Sequence, residues 1–177
     1  MKIKIINKCE QDKYDVEILN LLTECDEEFV PPLSARSSTT QSDLGGGTNA
    51  GSGVLNYFNE MKKQKILVAV KDEKLIGFVS FKENFVNDKI GEEQLPNIYI
   101  STLLIAESGR GKGLTRKMYE FLFKEYENAN VFTRTWSTNE AHIKILSGFG
   151  FEILTVLEND RGYGIDTVYF KKASNTL

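Results

Sequence analysis

The segment that most constrains this chain is the run from Ile98 to Thr115. Ile98 to Ala106 (IYISTLLIA) is dominated by β-branched and aliphatic side chains, which predicts a central strand buried on both faces. Glu107 to Gly109 form a turn. Arg110-Gly111-Lys112-Gly113-Leu114-Thr115 then opens a helix over 111–127, with Leu114, Met118, Phe121, Leu122 and Tyr126 marking its apolar face. Glycines at a strand-to-helix turn let backbone N–H groups point outward at a helix N-terminus, where they attract phosphate oxygens. Two common phosphate loops fail on spacing. A Walker loop needs Gly-Lys followed by Ser or Thr, but Gly113 follows Lys112 and Ala106 stands where the first glycine belongs. A dinucleotide fingerprint needs a third glycine where Leu114 stands, and no βαβ unit leads into it.

The flanking pattern predicts an α/β chain. Ile3 and Ile5 alternate with lysines as in a half-buried strand starting near residue 2. Asp12 is placed to cap a helix whose apolar positions are Tyr14, Ile18, Leu21, Leu22 and Cys25. Pro31 and Pro32 stop any helix. Residues 34–53 are rich in Ser, Thr and Gly, have little to bury, and are expected to form a flexible loop acting as a mobile flap; a plain surface loop is the alternative. A short helix over 54–63 is expected to turn Leu55, Phe58 and Met61 inward. Strands at 65–70 and 75–83 form a hairpin around 71–74, and another strand covers 131–136. Ser137 and Glu140 have capping-box spacing for a helix carrying His142, Ile145, Leu146 and Phe149, which ends at Gly150. Strands at 151–157 and 165–171 close the order βα(α)βββαβαββ.

Length and composition narrow the function classes. The chain has 177 residues, 41% of them hydrophobic, and 22 basic against 25 acidic side chains for a net charge of −3. One domain spanning 1–177 is expected, able to bury a sizeable core, and whole-chain disorder is excluded. A slightly acidic chain without a basic stripe is a poor nucleic-acid binder. Two cysteines and one histidine provide neither a disulfide framework nor zinc ligands, so no metal is expected. MKIKIINK reads as neither signal peptide nor anchor, and no apolar run approaches membrane-spanning length. A cytoplasmic protein without membrane partners is expected, as monomer or homodimer.

These residues resemble the GNAT superfamily of N-acetyltransferases. Its diphosphate motif, Gln/Arg-x-x-Gly-x-Gly/Ala after a strand, is similar to Arg110, Gly113 and Thr115 following Leu103-Leu104-Ile105, with Thr115 replacing the last small residue. Its Asn-x-x-Ala-x-x-Leu-Tyr-x-Lys-x-Gly-Phe segment resembles 139–151, with His142 at the alanine and Leu146 at the tyrosine. The resemblance implies a mixed central sheet with splayed parallel strands flanked by helices, and acetyl-CoA as cosubstrate. Leu103, Leu104 and Ile105 would pair with the pantetheine amides, Arg110, Gly111, Lys112, Gly113, Leu114 and Thr115 would hold the diphosphate, and Asn139 and Leu146 would line the arm. For Asn139, a helix cap bonding its own backbone is the alternative.

The same resemblance implies acetyl transfer to a primary amine of a small molecule or peptide by direct attack. Leucine at 146 cannot donate a proton, so His142 is a possible acid for the leaving thiolate; a ring filling the core is its alternative. Tyr99 falls where some members carry a glutamate base, and a buried aromatic is its alternative. Glu27 and Glu28, beside Asp26, and Arg36 in the loop are the acceptor contacts the resemblance suggests. A noncatalytic acyl-CoA-binding or regulatory domain is the rival reading, motivated by Leu146.

Overall fold

The computed structural model describes residues 1–42, 44 and 53–174. Seven strands form one sheet: β1 (Lys2–Ile6), β2 (Lys65–Lys71), β3 (Lys74–Glu83), β4 (Asn97–Ile105), β5 (Asn130–Trp136), β6 (Glu152–Leu157) and β7 (Thr167–Lys172). Their order across the sheet is β1-β2-β3-β4-β5-β7-β6, and only β4 and β5 run parallel. Helices α1 (Lys8–Glu24) and α2 (Val54–Met61) cover one face, burying Ile18, Leu22, Tyr57 and Met61 against Val68, Phe78 and Leu104. Helices α3 (Leu114–Glu125) and α4 (Glu140–Gly148) cover the other, where Met118, Leu122 and Leu146 pack on Ile98, Ile100 and Phe170. Among the described residues no helix is long and apolar enough to cross a membrane.

Periodicity located the elements, but local hydrogen bonding moved their ends. Asn7, not Asp12, caps α1: its side chain accepts from Glu10 N while the Glu10 carboxylate returns to Asn7 N, a reciprocal box available one turn earlier. The predicted α1 face is otherwise correct, and Tyr14, Ile18, Leu21, Leu22 and Cys25 are all buried. In α2 Leu55 is half exposed and Tyr57 takes the inward place, because its hydroxyl meets Thr102 Oγ1 of β4 at 2.7 Å. Asn139 rather than Ser137 caps α4; the Ser137 hydroxyl instead accepts from Asp166 N.

Residues 43 and 45–52 of the predicted flap lie outside the described residues. The described part buries more than its composition suggested. Arg36, Thr39 and Leu44 are all buried, and Ser34 donates through both its backbone N and its hydroxyl to the Asp26 carboxylate.

Candidate active site

The site begins as an interrupted ladder. β4 and β5 pair only from Asn97 and Asn130 to Ile100 and Thr133. At the next residue the register of β4 with β3 slips, so that Ser80 faces Thr102 while Phe81 faces Ile100, leaving Ser101 as the extra residue of a bulge. Bulges bend a strand and increase its twist. Beyond this one, Ser101–Ile105 and Arg134–Trp136 part and line a cleft of about 330 Å³. Backbone groups on diverging strands cannot pair with each other, so they are available to an extended ligand that carries its own amides.

One end of the cleft meets the glycine turn. Gly111 and Gly113 have φ of 69° and 70°, and Gly113 is the N-cap of α3. A Cβ at either position would meet nothing within 4 Å, so glycine is required there by backbone angle rather than by space. No side chain caps α3, which leaves its first N–H groups and its positive dipole end for an anion. The Lys112 ammonium donates to Ser108 O at 2.7 Å. Arg110 donates from Nε to Ile105 O at 3.0 Å and from Nη2 to both Glu28 oxygens at 2.8 and 3.0 Å.

The expected cosubstrate residues divide. Leu103, Leu104, Ile105, Arg110, Thr115 and Asn139 line the cleft. Gly111, Lys112 and Gly113 form the turn beside it. Leu114 and Leu146 are instead buried in the core under α3 and α4. Asn139 does two things: it lines the cleft, and it caps α4 by accepting from His142 N while donating to Thr135 Oγ1 at 3.0 Å. The geometry fits an extended, amide-bearing ligand that ends in a diphosphate.

Of the two expected proton carriers, His142 lines the cleft and Tyr99 does not. Tyr99 packs with Ile90, Phe132, Tyr169 and Phe85, and burial pushes its pKa far up, so the phenolate that a base requires is even scarcer at neutral pH than for an exposed tyrosine. His142 Nε2 lies 2.8 Å from the Tyr119 hydroxyl. Burial pulls its pKa down to about 4, which leaves the ring neutral at physiological pH and removes the imidazolium acid expected of it. Cys25 is buried and its thiol is pushed up by burial and then by Glu28, which disfavours a nucleophilic thiolate.

The acceptor contacts change most. Glu27 is exposed, while Glu28 lines the cleft but is paired with Arg110. Arg36 is only 6% exposed and donates to the Val30 and Pro31 carbonyls, so it does not reach toward substrate or glutamate. Arg134, Thr135 and Trp136 line the cleft and were missed, because nothing in a strand sequence says where its ladder ends.

The family described as "Acetyltransferase (GNAT) family" matches residues 18–151, which include the cleft strands, the glycine turn and Asn139. No curated protein matches the chain. Among solved structures, the chain is similar to the ribosomal-protein-alanine N-acetyltransferase of Brucella melitensis at TM-score 0.66 and 15% identity, over 98% of this chain and 99% of that one. It is similar to yncA of Salmonella typhimurium, solved with its cofactor acetyl-CoA, at TM-score 0.65 and 15% identity, over 100% and 95% of the two chains. The aminoglycoside 6'-N-acetyltransferase of Enterococcus faecium aligns at TM-score 0.66 and 14% identity, over 97% and 96%. At these identities the likeness speaks for the fold. With the family match spanning both motifs and the cleft they build, the chain belongs to the GNAT family of acetyltransferases, which use acetyl-CoA.

Proposed function

We propose that the chain transfers the acetyl group of acetyl-CoA to a primary amine by direct attack. The observation that carries this reading is the cleft where β4 and β5 part, closed at one end by an uncapped helix N-terminus with two left-handed glycines. Acetyl-CoA supplies the activated carbonyl: a C–N bond forms, the C–S bond breaks, and the amine proton ends on the leaving sulfur. Backbone groups of Leu103 and Ile105 hold the pantetheine arm as a substitute strand, and N–H groups from Gly111 to Thr115 hold the diphosphate. Arg110 joins them by leaving Glu28. Both side chains are about half exposed, so this ion pair is worth no more than about 1 kcal/mol. His142 lines the cleft with Nε2 on the Tyr119 hydroxyl, and because a ring with a pKa of about 4 is a poor proton carrier, the amine proton passes to the sulfur through water.

The rival, a noncatalytic acyl-CoA binder, draws on the burial of Leu146 in the core at the tyrosine position. Free-thiol release from acetyl-CoA against an amine panel separates the two readings. Transfer predicts thiol release that requires both an amine and the protein. Tight coenzyme A binding with no amine-dependent release across the panel would favour the rival.

A further inference from the structure

The sheet brings together three arginines far apart in sequence. Arg36 and Arg161 are each 6% exposed, and they share one acceptor: Val30 O receives Arg161 Nη1 at 2.6 Å and Arg36 Nη2 at 3.4 Å. Arg36 also donates to Pro31 O at 2.8 Å, and Arg161 Nε to Thr167 Oγ1 at 2.9 Å. Arg134 reaches the Tyr169 hydroxyl through Nη1 at 3.1 Å, while its buried Nη2 has no partner. Among the described residues none of the three forms an ion pair. The acids acting on them are already engaged: Asp26 accepts from Ser34, and Asp160 from Thr167. Arg161 is pulled down to about 9 by burial and then by the charges of Arg36 and Arg134. Like charges gathered out of water without a counterion are unfavourable, and an oxyanion relieves them.

Of the three, Arg134 lines the cleft, and it does so from a defined side. Side chains alternate along β5, so Val131, Thr133 and Thr135 face α3 and α4, where Val131 joins the core and Thr135 meets Asn139. Arg134 and Trp136 face the other way, toward Phe29, whose ring lies 5.7 Å from that of Trp136. Arg134 thus enters the cleft from the face opposite α3. That separates the Arg134 side chain from the diphosphate turn and leaves it on the side of the cleft open to an acceptor.

We propose that the acceptor amine carries an oxyanion, a carboxylate or a phosphate monoester, that docks on the Arg134 guanidinium, whose Nη2 lacks a partner, in the field of Arg36 and Arg161. The amine depends on the transfer reading above; the anion site does not. Calorimetry on the coenzyme A-loaded protein reads it with matched probes: amino acids against their carboxamides, and phosphoethanolamine against ethanolamine. The anionic member of at least one pair should bind at least tenfold tighter, and the pair that discriminates names the oxyanion. Arg134→Gln should bring that pair near parity, and Arg134→Lys should restore part of the preference. Should Arg134→Gln not fold, the Arg134→Lys protein and the probe ratios of the unaltered protein still decide. Parity in every pair, no binding of any anionic probe, or an undiminished preference in the folded Arg134→Gln protein would overturn the site. Anion preference without thiol release would instead count against the transfer reading alone.

Discussion

His142 shows how one side chain's surroundings redirect its chemistry. Its pKa of about 4, against 6.5 unperturbed, means that the unfolded chain takes up a proton at this ring before the folded one does. Stability contributed by the neutral ring is therefore present above about pH 6.5 and is lost as pH falls toward 4, on the order of 1–3 kcal/mol. His142→Gln should lack that component. Urea denaturation of both proteins at neutral and acid pH checks it; equal losses on acidification would mean that the ring is not held neutral. The sequence left His142 as either an acid or a ring filling the core, and its lowered pKa goes with the second, because desolvation depends on α3 and α4 closing over it. Tyr99 and Leu146 were misplaced for a related reason: each sits on a strand or helix correctly predicted, but periodicity does not say which buried face adjoins the cleft.

The strand-turn-helix segment from β4 to α3 was legible almost completely, since glycines at such a turn have a backbone reason that a sequence displays. Gly113 at φ 70° allows a direct test. With open space around it, substitution costs only the left-handed strain, on the order of 1–2 kcal/mol of stability. Gly113→Val should stay folded but weaken coenzyme A binding at least tenfold, about 1.4 kcal/mol, by displacing the N–H groups that lead into α3. Calorimetry with coenzyme A measures it, and unchanged affinity in a folded variant would remove the turn from the site. The bulge at Ser101 was illegible. No residue there signals an extra backbone unit, although Ser101 is fixed by hydrogen bonds to Gln64 and Ser80 from separate elements. Caps failed more mildly, with Asn7 and Asn139 chosen over Asp12 and Ser137 by reciprocal bonds that pattern alone ranks equally.

Across the molecule, the sequence disclosed what is contiguous and concealed what is assembled. Both motifs lie within 98–151, and the family match covers that stretch. The arginine cluster joins positions 36, 134 and 161, from the segment after α1, from β5 and from the β6–β7 turn, so no window of sequence contains it. On the proposal above, the acceptor side reverses its expected charge: Glu27 and Glu28 were the expected acceptor contacts, but Glu28 is paired with Arg110, and Arg134 lines the cleft with Nη2 unpartnered. All of this depends on the parting of β4 from β5 being the acetyl-CoA site. A crystal structure of the coenzyme A complex tests that most directly. The pantetheine arm should lie along Leu103 to Ile105 between the two strands, with the diphosphate on the N–H groups of Gly111 to Thr115 and Arg110 released from Glu28. Coenzyme A bound outside the parted strands, with the glycine turn and the Arg110–Glu28 pair left as they are, would contradict the account.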